Sequence, residues 1–275
     1  MRATRFAGNL FALLLPLLGS TGAAGAEVLS LPLKGGASLP LAVEVVLPTG
    51  PPRGVVMMLH GYLASAAEFP FTRDWFVARG WVYVTLDLPG HGGSGGLRHD
   101  IDSFGTYGDA VALWLKWVEH QGWPGPRVLL AHSLGAAAAL DALRRPDTPR
   151  PDRVVFCAPL LRTTWFGPLV VADALVGWWL PGLLGSDYGA RAHWFLALQR
   201  WLHALAEDKT ALPLALTVYC GDGDSVVEAG WNRRELTRLV PGLRWVTLPG
   251  RDHWFLTEPQ DREAIHQRIE EDLER

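Results

Sequence analysis

Ser133 stands in Val128-Leu-Leu-Ala-His-Ser-Leu-Gly135, an apolar run that leads into the small-residue stretch Ala136 to Ala139. A serine hydroxyl is a weak nucleophile at neutral pH and needs a base to take its proton. It must also be presented. A strand, a sharp turn and a helix do this with the serine at the apex, provided that the residues two before and two after are small. Those residues are Ala131 and Gly135; alanine replaces the usual first glycine and should still fit. His253, in Leu248-Pro-Gly-Arg-Asp-His253, is the expected base. An imidazole base needs an acid to fix its tautomer and stabilise its cation. Asp224, in Cys220-Gly-Asp-Gly-Asp224, is that candidate, with Asp222 its rival; Asp252 adjoins the histidine and should point elsewhere. A tetrahedral oxyanion needs backbone donors. The N–H of Leu134, just after the serine, and that of Tyr62, in His60-Gly61-Tyr62, are expected to supply them. His60 itself is expected to make structural hydrogen bonds.

Other patterns are weaker. Gly90-His-Gly-Gly-Ser-Gly95 has the spacing of a dinucleotide loop, but a polar loop follows where a helix must open, so no cofactor is expected. Ser94 has no elbow around it. His91, His99, His120, His193, His203 and His266 show no metal-ligand spacing and read as surface or packed residues, and no metal is expected. His132 is expected to pack at the turn.

These residues need elements to position them. Val55 to Leu59, Trp81 to Leu86, Val128 to Ala131, Val154 to Cys157, Ala215 to Cys220 and Trp245 to Leu248 are continuous apolar runs, the pattern of strands buried on both faces of a parallel sheet. Helices are expected at Phe71 to Arg79, Thr106 to His120, Leu134 to Arg145, Trp231 to Leu239 and Arg262 to Leu273. The alternation predicts an α/β fold with helices on both faces of a mostly parallel sheet. Glu27 to Pro48 reads as an edge hairpin around Lys34-Gly35-Gly36. In such a sheet the loops at the carboxyl ends of strands converge on one crevice, where Ser133, Asp224 and His253 would meet.

The interval from Cys157 to about Ala215 is too long for one crossover helix. Residues 160–212 contain Trp165, Trp178, Trp179, Trp194 and Trp201, and Trp194, Leu198, Trp201, Leu202 and Leu205 recur at helical spacing. An inserted helical cap is expected there, between core segments 27–159 and 213–275. Phe166 to Leu184 is strongly apolar, but Pro168, Asp173 and Pro181 interrupt it, which argues against a membrane span.

His60-Gly61, Asp87-Leu-Pro-Gly90-His91-Gly92-Gly-Ser94, Ala131-His-Ser133-Leu-Gly135, Gly221-Asp-Gly-Asp224 and Gly250-Arg-Asp-His253 follow one another in the order and spacing of the α/β-hydrolase superfamily. The tail His253-Trp-Phe-Leu-Thr-Glu258 resembles the ending of its monoacylglycerol lipase and lysophospholipase group. The resemblance runs from about Val55 to Arg275 and weakens across the cap. It implies the α/β-hydrolase fold and a serine hydrolase acting through an acyl-enzyme, with Ser133, His253 and Asp224 in the catalytic roles and no cofactor. One departure stands out: Tyr62 replaces the small residue that the group has after His-Gly, and its ring would narrow the acyl site.

The whole chain fits that reading. Its 275 residues are 49% hydrophobic, ample for a core, and the net charge of −3 gives no basic excess, so a nucleic-acid partner is not expected. Arg2 and Arg5, the apolar run Leu10 to Leu18 and small residues up to Ala26 make residues 1–26 a signal peptide with its cut before Glu27. A periplasmic or secreted protein is therefore expected. Cys157 and Cys220 lie near the ends of buried runs and are expected to remain free thiols. The Trp-rich cap suggests esters with an apolar acyl or alkyl group, and a transient membrane-surface contact through the cap. Two alternatives remain. One is a peptidase of the same fold, with Asp173, Asp187, Glu207 or Asp208 binding a free amino terminus. The other is a non-catalytic binder that kept the fold.

Overall fold

A computed structural model describes residues 24–164, 192–260 and 262–273. A single sheet of eight strands forms the centre, in the order β1-β2-β4-β3-β5-β6-β7-β8. The strands are β1 (Ala24–Pro32), β2 (Ser38–Val46), β3 (Gly54–Leu59), β4 (Trp81–Leu86), β5 (Arg127–His132), β6 (Arg153–Cys157), β7 (Leu216–Gly221) and β8 (Arg244–Leu248). β1 and β2 form the expected antiparallel hairpin at the edge, and β2 joins β4 antiparallel; β3 to β8 are mutually parallel. β1 starts three residues before the expected cut, with Ala24, Gly25 and Ala26 paired to Val46, Val45 and Glu44.

β3 to β7 read as apolar runs because both of their faces are covered, whereas the edge strand β8 alternates, with Val246 and Leu248 buried and Arg244 and Thr247 exposed. Val55, Met57 and Leu59 of β3 enter one cluster with Leu129, Val154 and Val218, while Val56 and Met58 enter the other with Leu130 and Val155. The helices α2 (Gly105–His120), α3 (Leu134–Leu143), α4 (Ala192–Glu207) and α5 (Ala229–Leu239) supply residues to the first cluster. α1 (Pro70–Ala78) and α6 (Arg262–Leu273) supply the second. Cys157 and Cys220 are buried and free, and they belong to opposite faces of the sheet.

α4 is the described part of the expected cap; Trp165, Trp178, Trp179 and Phe166 to Leu184 lie outside the described residues. Of the expected stripe, Trp194, Leu198 and Leu205 are buried and face the core with Ala197, while Trp201 and Leu202 are half-buried against it. Polar ties hold the same helix. Trp201 stacks on Phe104 (4.5 Å between centroids) and its Nε1–H donates to Asp141 (2.7 Å). At the other end the Arg238 guanidinium donates to the carbonyl of Leu205 (3.0 Å), one of the acceptors that a helix C-terminus leaves open. No helix among the described residues is long and apolar enough to cross a membrane.

Candidate active site

β5 delivers Ser133 to the carboxyl edge of the sheet in a backbone conformation that side chains rarely adopt, φ +51° and ψ −113°. Strain of this kind costs about 1–3 kcal/mol and persists only where the surroundings impose it. Here the Ser133 N–H donates to the carbonyl of Cys157 (3.0 Å), and the Ser133 carbonyl accepts from the N–H groups of Ala136 and Leu160 (both 3.1 Å). The turn also demands small neighbours. A Cβ on Gly135 would stand 2.7 Å from the carbonyl oxygens of His60 and Leu59. A Cβ on Gly61 would stand 3.2 Å from the Cβ of Ser133. The loop after β3 is therefore pressed against the serine, and Tyr62 follows directly.

Two further strand ends bring the partners. His253 follows β8, and its Nδ1–H donates to Oδ2 of Asp224, which follows β7 (2.9 Å). That bond leaves Nε2 as the acceptor for the Ser133 hydroxyl (3.0 Å). The Asp224 side chain is fully buried. Burial raises its pKa, but the hydrogen bond and charge of His253 and the N–H groups of Val227 and Val226 outweigh burial and hold it below the ordinary carboxylate value. Both N–H groups donate to its Oδ1, so the carboxylate is aimed as well as ionised. Asp222 instead accepts from the N–H of Gly250 (2.7 Å), and Asp252 from the N–H of Trp254 (2.8 Å); each shapes the loop rather than the ring.

The histidines around this line have distinct tasks. His60 donates from Nδ1 to the carbonyl of Gly61 (2.8 Å) and accepts at Nε2 from the N–H of Leu88 (3.0 Å), tying the Tyr62 loop to the loop after β4. Ser94 also works structurally, accepting from the N–H of Ala42 (2.8 Å). His132 does more than pack. Its Nε2–H donates to the carbonyl of His253 (3.0 Å), and burial, then the neighbouring His253, push its pKa down to about 3. It is a neutral donor fixed against the backbone of the base. Sequence placed it beside the serine, but its partner lies 121 positions away and leaves no local sign. Among the described residues, no group of three His, Cys, Asp or Glu side chains is arranged to hold a metal ion.

A cavity of about 350 Å³ opens over Ser133 and His253. Tyr62, Leu63, Leu160, Trp194, Phe195 and Trp254 give it an apolar wall, and no Asp or Glu lines it among the described residues. The geometry suits attack by a serine on an acyl carbon held in an apolar pocket, with Leu134 next to the serine in the chain and Tyr62 also lining the cavity.

Comparison with known proteins agrees with the fold. Residues 50–186 match the family described as Serine aminopeptidase, S33. The monoacylglycerol lipase of Mycolicibacterium smegmatis is 30% identical over 95 residues, 34% of this chain and 34% of that protein. The phospholipase YtpA of Bacillus subtilis is 27% identical over 110 residues, 40% of this chain and 42% of that protein. The matched stretch thus spans well under half the length of either relative. A soluble variant of the monoglyceride lipase of Saccharomyces cerevisiae, solved with a substrate analogue, superposes with a TM-score of 0.68 at 14% identity, over 94% of this chain and 97% of that one. The fold is that of the α/β-hydrolases, and the chain resembles their monoacylglycerol lipase and lysophospholipase group.

Proposed function

We propose that this α/β-hydrolase is a serine hydrolase that cleaves carboxylic esters with an apolar acyl or alkyl group. The observation that carries the reading is the hydrogen-bonded line from Asp224 through both nitrogens of His253 to Ser133, at the mouth of an apolar cavity. In this mechanism Ser133 Oγ bonds to the ester carbonyl carbon as its proton passes to His253 Nε2. The N–H groups of Tyr62 and Leu134 receive the oxyanion. The C–O bond to the alcohol breaks and His253 returns the proton to the leaving oxygen. Water then gives a proton to His253 as its oxygen bonds to the acyl carbon; the C–Oγ bond breaks, His253 returns the proton to Ser133 Oγ, and the acid leaves. The residues alone suffice for each step.

Hydrolysis of p-nitrophenyl esters from acetyl to palmitoyl, with Ser133→Ala beside the wild type, tests this. Activity should appear in the wild type and fall at least about a thousandfold in the variant, as loss of a triad member does. A fluorophosphonate should label Ser133 and nothing else. A folded protein that hydrolyses no ester and resists the label would end the reading and favour the binder.

The peptidase alternative has the name of the matched family in its favour. Recognition of a free amino terminus needs a carboxylate in reach of the serine. Glu207 pairs with His203 at the end of α4 and Asp208 with Arg144, neither at the cavity, while Asp173 and Asp187 lie outside the described residues. An aminoacyl amide hydrolysed faster than its matched ester would support the peptidase.

Export is part of the same proposal and rests on the arrangement of residues 1–26. Cleavage before Glu27 would leave Glu27–Pro32 of β1 paired to β2. Amino-terminal sequencing of the protein from the periplasm or medium should begin at Glu27. A transient membrane contact through the cap is supported by Leu196 of α4, which stays exposed. Binding to vesicles that disappears when Leu196 becomes Ser would support it.

A further inference from the structure

The Tyr62 ring is tethered on two sides. It stacks on the Trp194 indole at 3.9 Å between centroids and 20° between planes. Its hydroxyl donates to the carbonyl of His99 (2.8 Å). Trp194 is held as firmly: it is buried, and its Nε1–H donates to the hydroxyl of Tyr107 in α2 (3.1 Å). Each ring keeps its apolar face in the stack and its polar end in a hydrogen bond, so neither turns aside without losing both. The two rings come from different elements, the loop after β3 and the first turns of α4. Both line the cavity of about 350 Å³ over Ser133.

A tetrahedral centre on Ser133 divides that cavity. The leaving oxygen must face His253, which protonates it, so the alcohol lies towards His253, Ser225 and Trp254. The acyl chain is left with the side where Tyr62, Leu160 and Trp194 stand. We propose that the Tyr62–Trp194 stack is the specificity-determining wall of the acyl site, admitting short and medium straight acyl chains and excluding long ones. This rests on the serine-hydrolase reading above and names its substrate class. The wall is assembled only when α4 is docked, and the bond from Trp194 to Tyr107 and the ties of Trp201 to Phe104 and Asp141 hold α4 there independently of the stack.

The test is kcat/KM over the p-nitrophenyl series for the wild type, Trp194→Leu and Tyr62→Ala. Trp194→Leu keeps apolar bulk inside the core. Tyr62→Ala keeps the backbone N–H and leaves α4 intact. The wild type should favour short or medium chains. In each variant the ratio of decanoyl to butanoyl activity should rise at least about tenfold, since a methylene in an apolar pocket is worth about 10–200-fold. A wild type most active on palmitoyl overturns the proposal. So does an unchanged profile in both variants when each keeps its circular dichroism and its ester hydrolysis, and that result leaves the serine-hydrolase reading standing. A folded wild type with no ester hydrolysis and no labelling of Ser133 overturns both together.

Discussion

Single residues at this site are constrained by what surrounds them, and two of them make the point. Gly135 is required by contact: the carbonyl oxygens of His60 and Leu59 already occupy the space that a Cβ would need. Those atoms belong to the backbone and cannot rotate away. Gly135→Ala is therefore expected to cost about 1–3 kcal/mol by overpacking. Activity should fall more than stability suggests, because the shift displaces Ser133 from a 3.0 Å hydrogen bond. A urea midpoint and ester turnover that both match the wild type would refute this. His132 is required for its hydrogen bond. Removing its Nε2–H leaves the buried carbonyl of His253 without that donor, a cost of about 1–3 kcal/mol. His132 does not line the cavity, so His132→Leu should lower kcat by about tenfold or more, with KM little changed. His132→Gln, which retains a donor, should recover part of the loss. An equal loss in Leu and Gln would reduce His132 to a packing residue.

The elements explain which of these features were legible in the sequence. β3 to β7 were, because burial on both faces writes an unbroken apolar run, and β8 was through Trp245 to Leu248, although only one of its faces is buried. The β1–β2 hairpin was, because Gly35 and Gly36 adopt φ of +91° and +86°, which glycine alone does without strain. Ser133, Asp224 and His253 each follow a strand, so once the strands were placed, the meeting of the three side chains followed from the sheet. Helix ends were less legible: α1 starts at Pro70, α2 at Gly105 and α5 at Ala229, each one or two residues early, because loop contacts rather than the apolar stripe set the first turn. The His132–His253 bond and the Tyr62–Trp194 stack were not legible at all. The first joins the end of β5 to the backbone of the loop after β8 and the second joins a loop to a helix, each through one contact, and a single contact has no period. The same holds for the ties on α4, which carry a prediction of their own. Trp201 combines the stack on Phe104 with the bond to Asp141. Trp201→Leu should keep the apolar burial but lose both ties. Amide exchange in α4 should then speed up by tenfold or more while the strands stay protected, because local opening follows local contacts. Equal acceleration in β5 and β6 would mean that α4 is integral to the core rather than docked on it.

For the whole molecule the decisive feature is the number of histidines that the fold holds neutral. His60, His91, His132 and His266 are buried. Burial is the leading cause that lowers each pKa: to about 3 for His91, with the neighbouring His60 adding to it, about 3 for His132, and about 4 for His266. His60 moves in the same direction, also through burial. As the pH drops below the ordinary value of 6.5, the unfolded chain takes up protons at these sites and the folded chain does not. Stability therefore decreases with falling pH, by up to about 1.4 kcal/mol per unit for each such group, until the lowered folded value is reached. Asp224 acts in another window. Its folded pKa is depressed, so its contribution is present above the ordinary carboxylate value and is lost only as pH falls through the lower folded one. Between pH 6.5 and about 4 the histidines govern. The urea midpoint should thus fall steadily from pH 7 to pH 5. His266 offers the control, because it lies away from the serine: its Nδ1–H donates to the carbonyl of Arg262 (2.7 Å) and its Nε2 accepts from the Thr72 hydroxyl (2.8 Å). His266→Gln should be less stable than the wild type at pH 7, yet lose less on going to pH 5, since one of the protonating sites is gone. A wild-type midpoint that stays level from pH 7 to pH 5 would show that these rings gain their protons inside the fold, and the acid sensitivity would then have to come from the carboxylates.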